Sequence, residues 1–210
     1  MIIKVCGMRD VENIRAVSAL GIDMMGMIFW EGSPRCIKCV PPLSGVPRVG
    51  VFVDALPQDV ITCAYNYQLD YIQLHGKEGR VYMENLRHTL DPDIRLGIRL
   101  IKAVSIETAD DILQCKECEG VADMLLFDTK TPKAGGSGRK FDWSLLGQYQ
   151  GKTPFLLSGG IGPDDAEEIR KFRHPCFAGI DLNSRFEKEP GVKDVELLAT
   201  FIKGVRNEQD

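Results

Sequence analysis

What most limits the fold of this chain is a rhythm. Short apolar, β-branched runs recur eight times, and a stretch of helical character separates each from the next. The runs are IIKV at 2–5, IDMMGMIF at 22–29, RVGVFV at 48–53, LDYIQL at 69–74, IRLGIRLI at 94–101, ADMLLF at 122–127, TPFLLS at 153–158 and CFAGIDL at 176–182. Most are nearly continuous in apolar character, which is how strands read when helices cover one face and a packed barrel core covers the other. Helix starts fall between them: Asp10 before VENIRAVSAL, Ser105 before IETADDIL with Thr108 and Asp110 close behind, and Pro163 before DDAEEIRKF. Eight β-then-α units within 210 residues favour a compact (β/α)8 barrel over an open doubly wound sheet.

No linker or low-complexity segment divides the chain, so one barrel domain is expected over 1–205, with a short polar tail at 206–210. One unit is weak. Residues 37–47 read IKCVPPLSGVP, and prolines at 41, 42 and 47 oppose a full-length helix. The second helical segment is therefore expected to be shortened or lost.

Charge and composition narrow the function. With 26 basic and 30 acidic residues the net charge is −4, which gives no broad positive field to hold a nucleic-acid backbone. No run approaches the roughly 18 apolar residues of a membrane span. The N-terminus enters an apolar run whose only charge is Lys4, without the basic start and cleavage site of a signal peptide, so the cytoplasm is the default location. Seven cysteines, an odd count, read as free thiols and not as a disulfide framework. Cys36-x-x-Cys39 and Cys115-x-x-Cys118 have metal-like spacing, but they lie too far apart in the chain for the halves of a zinc ribbon. No metal site is expected, and core packing accounts for such cysteines equally well.

In a barrel of this kind the C-terminal strand ends and the loops after them form the active face. There the sequence offers Cys6-Gly7, Ser33-Pro34-Arg35, His75-Gly76, Asp128-Thr129, Ser158-Gly159-Gly160 and Asp181-Leu182-Asn183-Ser184. Gly159 and Gly160, leading through Gly162 to Pro163, together with Asn183 and Ser184, suit a phosphate held by backbone N–H groups and a short extra helix. The same glycines also suit plain tight turns. A second cluster, Ala134-Gly135-Gly136-Ser137-Gly138, lies in a long basic loop that reads as a lid or as a solvated connection. A cysteine at a strand end is by itself either a reactive thiol or a small buried hydrophobe. His75 reads as a loop-orienting hydrogen-bonding group, while His88 and His174 read as structural or exposed.

Taken in order, KVCGMRD (4–10), SPR (33–35), VGVFVD (49–54), QLHG (73–76), LLFDT (125–129), GGSGRKFDW (135–143), LSGGIGPDD (157–165) and PGVKD (190–194) resemble the phosphoribosylanthranilate isomerases of tryptophan biosynthesis. The resemblance runs nearly end to end. It implies a (β/α)8 barrel that performs an Amadori rearrangement of a phosphorylated small molecule without metal or cofactor, acting as a monomer or homodimer. It further implies Cys6 as general base, Asp128 as general acid and Arg35 facing the anthranilate. Gly136, Gly159, Gly160, Asn183 and Ser184 would lie at the phosphate, and Asp181 near the ribose. The glycine after Cys6 and a nearby helix N-terminus are expected to favour its thiolate, and the LLF run to hold Asp128 partly neutral. One departure stands out: a Ser-Ser-Gly is expected after the eighth strand, but the chain has Asn183-Ser184-Arg185, which puts a cation beside the phosphate loops. The competing readings are a sugar-phosphate epimerase or isomerase that uses a metal or paired aspartates, and a non-catalytic phosphate- or metal-binding protein.

Overall fold

The computed structural model describes residues 1–39, 45–90, 97–130 and 140–206. Eight parallel strands close into a barrel: β1 (Ile2–Val5), β2 (Met24–Ile28), β3 (Arg48–Phe52), β4 (Tyr71–Leu74), β5 (Arg99–Ile106), β6 (Met124–Thr129), β7 (Phe155–Leu157) and β8 (Phe177–Leu182). β8 pairs with β1, with Lys4 opposite Asp181, so no edge is left open.

Alternation along these strands explains why they read as continuously apolar. Met24, Val49, Val51, Ile101, Met124, Leu126 and Leu156 fill the barrel interior as one cluster. Their neighbours Ile3, Val5, Met25, Met27, Ile72, Leu74, Leu125 and Phe127 belong to a second cluster, packed outward under the helices. Each such side chain, once buried, contributes about 1.5–3 kcal/mol, and both faces of the sheet need one at nearly every position.

The outer layer comprises α1 (Val11–Ser18), α2 (Pro57–Asn66), α3 (Arg80–Leu90), α4 (Ala109–Leu113), α5 (Ala166–Lys171) and α6 (Val195–Arg206). Asp10 caps α1 by accepting the Asn13 N–H at 2.8 Å. After β6 the connection is a 3₁₀ helix, Trp143–Gln148. Between β2 and β3 there is no helix among the described residues, as the prolines led us to expect; residues 40–44 lie outside them. After β8 come the 3₁₀ turn Ser184–Phe186 and a small antiparallel hairpin, β9 (Glu187–Glu189) and β10 (Val192–Lys193).

Two expectations need correction. The fifth strand runs over 99–106, well beyond the expected 94–101, of which 94–96 lie outside the described residues. Gly97, at φ +79°, turns the chain just before it, and the strand carries the charge of Lys102 inside because that charge is matched. The Lys102 ammonium donates to the carbonyl of Gly76 at 2.6 Å and lies 3.1 Å from the buried Glu78 carboxylate. In consequence Ser105 is a strand residue, and α4 starts later. Its N-cap is Thr108, in a capping box with Asp111. At the other end Arg206 closes α6 and donates to Gly21 O at 2.8 Å, while residues 207–210 lie outside the described residues.

The two cysteine pairs sit in different surroundings. Cys115 and Cys118 are buried in the core beside α4, where burial pushes the Cys115 thiol up to about 12. Cys36 and Cys39 lie on the β2–β3 connection, Cys39 exposed. Among the described residues no helix is long and apolar enough to cross a membrane.

Candidate active site

The alternation that fills the barrel also delivers its polar groups. Cys6 continues the inward set of β1, His75 that of β4, Asp128 that of β6 and Ser158 that of β7, all at the C-terminal ends. Gly7, at φ +78°, turns the chain directly after Cys6. A methyl group there would lie 2.6 Å from Arg35 Cδ and 2.8 Å from Asn183 Oδ1, so its lack of a side chain lets both residues close over the turn.

Cys6 is buried, and its thiol shares the barrel with three charged groups. Burial pushes the thiol above its ordinary range; the ammonium groups of Lys4 and Lys193 pull it down, and the Asp181 carboxylate pushes it further up. The outcome corrects the expected thiolate-favouring turn. The helix that follows does not serve Cys6, because α1 begins at Val11 behind its own Asp10 cap; the favourable positive charge comes from Lys4 and Lys193. Lys4 is fully buried and bonds Asp181 at 2.8 Å. Burial opposes its charge, but Asp181 outweighs that and holds the ammonium above its usual range.

Asp128 is fixed from two sides. Its Oδ1 accepts the Thr129 N–H at 2.8 Å, and its Oδ2 lies 3.2 Å from His75 Nε2. His75 Nδ1 lies 2.8 Å from the side-chain nitrogen of the buried Gln73. With that amide donating to Nδ1, Nε2 carries the ring proton and points it at Asp128. The expected loop-orienting histidine is thus a partner of Asp128. His174 is structural: its Nδ1 accepts the Cys176 N–H at 3.0 Å.

Arg35 is held differently from the expectation. Its Nε and Nη2 grip the Glu187 carboxylate at 2.7–3.0 Å in a fork, nearly buried. Lys193, on β10, donates to the same carboxylate at 2.6 Å and to Asn183 Oδ1 at 2.8 Å. Burial would raise the Glu187 carboxyl, but these two cations hold it below its usual range. The fork leaves the Nη1 edge of Arg35 without a protein acceptor among the described residues.

Gly159 and Gly160 both adopt left-handed backbone, φ +82° and +72°. Among the described residues neither amide has a protein acceptor, so two successive N–H donors remain for an anion. A methyl at Gly159 would lie 3.0 Å from Asp128 Oδ1, which puts this loop directly beside that carboxylate. The expected short extra helix is a single 3₁₀ turn, Ser184–Phe186. Ser158 and Asp181 lie inside the ring, 3.5 Å apart. Gly136 and the expected lid fall in residues 131–139, outside those described.

Sequence reasoning missed Gly26, Glu187 and the roles of Lys4 and Lys193. Lys4 had a signal, a lone charge inside a fully apolar run, and Lys193 stood in the PGVKD motif without an assigned part. Gly26 faces Cys6 from β2: a methyl there would lie 2.6 Å from the thiol sulfur and 3.0 Å from Cys6 Cα. Gly26→Ala is expected to displace Cys6, lowering kcat/KM by about 10²-fold and stability by about 1–3 kcal/mol. Steady-state kinetics beside a thermal melt check both.

A closed (β/α)8 barrel with a thiol, a carboxylate and a glycine loop converging at its C-terminal mouth defines a barrel enzyme of acid–base chemistry. Comparison with known proteins makes this specific: residues 3–204 match the model of the N-(5'-phosphoribosyl)anthranilate (PRA) isomerase family, and the chain belongs to that family. An N-(5'-phosphoribosyl)anthranilate isomerase of Parabacteroides distasonis is 50% identical over 213 residues, covering 98% of this chain and 93% of the relative. The crystal structure of phosphoribosyl anthranilate isomerase from Thermotoga maritima superposes with a TM-score of 0.81 at 30% identity, covering 99% of this chain and 100% of that one. A further phosphoribosyl anthranilate isomerase structure, in complex with reduced 1-(o-carboxyphenylamino)-1-deoxyribulose 5-phosphate, has a TM-score of 0.78 at 27% identity, covering 99% and 100%.

Proposed function

We propose that this chain catalyses the Amadori rearrangement of N-(5′-phosphoribosyl)anthranilate to 1-(2-carboxyphenylamino)-1-deoxyribulose 5-phosphate, in tryptophan biosynthesis, with Cys6 as base and Asp128 as acid. The observation that carries this reading is the convergence of those two groups at one barrel mouth, beside the free amides of Gly159 and Gly160, in a member of the isomerase family.

The chemistry follows from the substrate. The anthranilate nitrogen pushes its lone pair toward C1 of the ribose as the ring C–O bond breaks, and Asp128 gives its proton to the departing ring oxygen. An open iminium results. The Cys6 thiolate then takes the proton from C2, and that electron pair neutralises the iminium to give an enolamine. Loss of the enol O–H proton and protonation at C1 complete the ketone, with no net gain or loss of electrons. One acid and one base each supply about 10²- to 10⁴-fold.

Binding divides among the remaining groups. The Gly159–Gly160 amides and the Asn183–Ser184 turn hold the phosphate, the free Nη1 edge of Arg35 meets the anthranilate carboxylate, and the Lys4–Asp181 pair lies under the ribose. Glu187 keeps the Arg35 guanidinium in plane for that contact.

The test is direct. Purified protein mixed with freshly made N-(5′-phosphoribosyl)anthranilate should abolish its fluorescence at a rate proportional to enzyme concentration. Absence of turnover in protein that still binds inorganic phosphate would sink the assignment of the reaction while leaving the phosphate loops intact.

A further inference from the structure

The strongest group at the barrel mouth that the mechanism leaves unused is Arg185. It stands in the 3₁₀ turn after β8, and its guanidinium reaches across to the loop after β7. A methyl at Gly162 would lie 3.2 Å from its Nη2, 3.3 Å from Nε and 3.5 Å from Cζ. Cζ is the farthest of the three, so the Nε–Nη2 edge of the guanidinium turns toward Gly162 and its Nη1 side is left toward the solvent-exposed mouth.

The carboxylates of Asp165, Glu168 and Glu187 are already engaged. Asp165 accepts the Gly162 N–H at 2.7 Å and pairs with Lys140 at 3.0 Å; Lys140 also pairs with Glu168, at 2.6 Å. Glu187, two residues from Arg185, is taken by Arg35 and Lys193. Among the described residues no acceptor falls to Arg185, which is exposed. A long cation resting on the loop that carries the free amides of Gly159 and Gly160, and without a protein acceptor among the described residues, is a half-built anion site.

We propose that Arg185 is a ligand of the substrate phosphate, a side-chain contact added to the backbone amides of Gly159 and Gly160. The proposal rests on the reading of those loops as the phosphate site and goes beyond it by assigning the charge. Guanidinium matches phosphate oxygens in a two-pronged contact, and it favours the dianion over the monoanion, whose second proton leaves near pH 6. Arg185 thereby tunes the site toward fully ionised sugar phosphates.

The experiment compares wild type with Arg185→Gly, Arg185→Gln and Arg185→Lys. Inorganic phosphate binding is read by calorimetry at pH 5.5 and 7.5, and kcat and KM are read for the rearrangement. Removing the charge should weaken phosphate binding and raise KM by roughly 10- to 100-fold, with kcat within about twofold and lysine intermediate. The gain in phosphate affinity between the two pH values should shrink in the uncharged variants. Phosphate affinity and KM unchanged within twofold in the Gly and Gln variants would overturn the proposal. A wild type that turns over but binds no phosphate would overturn the phosphate-loop reading with it. Because Arg185 has no internal partner among the described residues, the melting temperature should hold; if the Gly variant melts early, the Gln variant and Gly162→Ala, whose methyl pushes the guanidinium aside, decide by the same readouts.

Discussion

Cys6→Ala is expected to lower kcat/KM for the rearrangement by about 10²- to 10⁴-fold while leaving phosphate binding unchanged. The thiol is buried among Lys4, Asp181 and Lys193, and the Asp181 carboxylate is held by Lys4 at 2.8 Å. Burial sets how it works. A thiol held above its ordinary pKa of about 8.5 is a few per cent thiolate or less at neutral pH, but each thiolate is a correspondingly stronger base. Activity on the free enzyme should therefore climb with pH, and its limb should fall above about 8.5. The sign of the stability effect follows from the same shift. The folded state keeps the thiol proton longer than the unfolded chain does, so the contribution of Cys6 is intact below about pH 8.5 and is lost progressively above it. A Cys6→Ala enzyme within tenfold of wild type, or a pH limb that survives this substitution, would remove Cys6 from the mechanism.

Asp128→Asn is the second large effect, again about 10²- to 10⁴-fold in kcat. The amide keeps the size of the carboxyl, and its oxygen can still accept the Thr129 N–H, so the loop beside Gly159 should hold its shape. What it loses is the proton for the ring oxygen. Because the loss is in the transition state, KM should move little. His75→Asn separates positioning from chemistry: with the ring gone from Asp128 Oδ2, the rate should fall by less than in Asp128→Asn. If Asp128→Asn raised KM and spared kcat, the carboxylate would be a binding group, and the acid would have to be sought elsewhere.

The identity of this chain was legible in its sequence because barrel strands announce themselves locally. Seven of the eight runs match a strand to within two residues at each end, since an apolar residue at nearly every position is what burial on both faces requires. The fifth failed for a physical reason. Lys102 breaks the apolar run, and Glu78 with the Leu74 and Gly76 carbonyls, contributed by the preceding unit, makes a charge tolerable there. The same limit applied at the site. Cys6 and Asp128 stand out in the sequence because each sits next to a strand end that the local pattern marks, and Asp10 and Pro163 because caps act within a single turn.

What only the tertiary structure decided is the pairing. Lys4 meets Asp181 across 177 residues, Arg35 meets Glu187 across 152 and His75 meets Asp128 across 53. Each partner is an ordinary charged or polar residue in its own neighbourhood. Their burial, and hence the raised thiol of Cys6 and the clamped Arg35, arises only when β8 closes on β1 and the β9–β10 hairpin folds back over the mouth. Local sequence carries periodicity and capping, because those act over one turn or one pleat. The choice of counter-charge in a low-dielectric interior depends on which strands become neighbours, and closure of the barrel settles that.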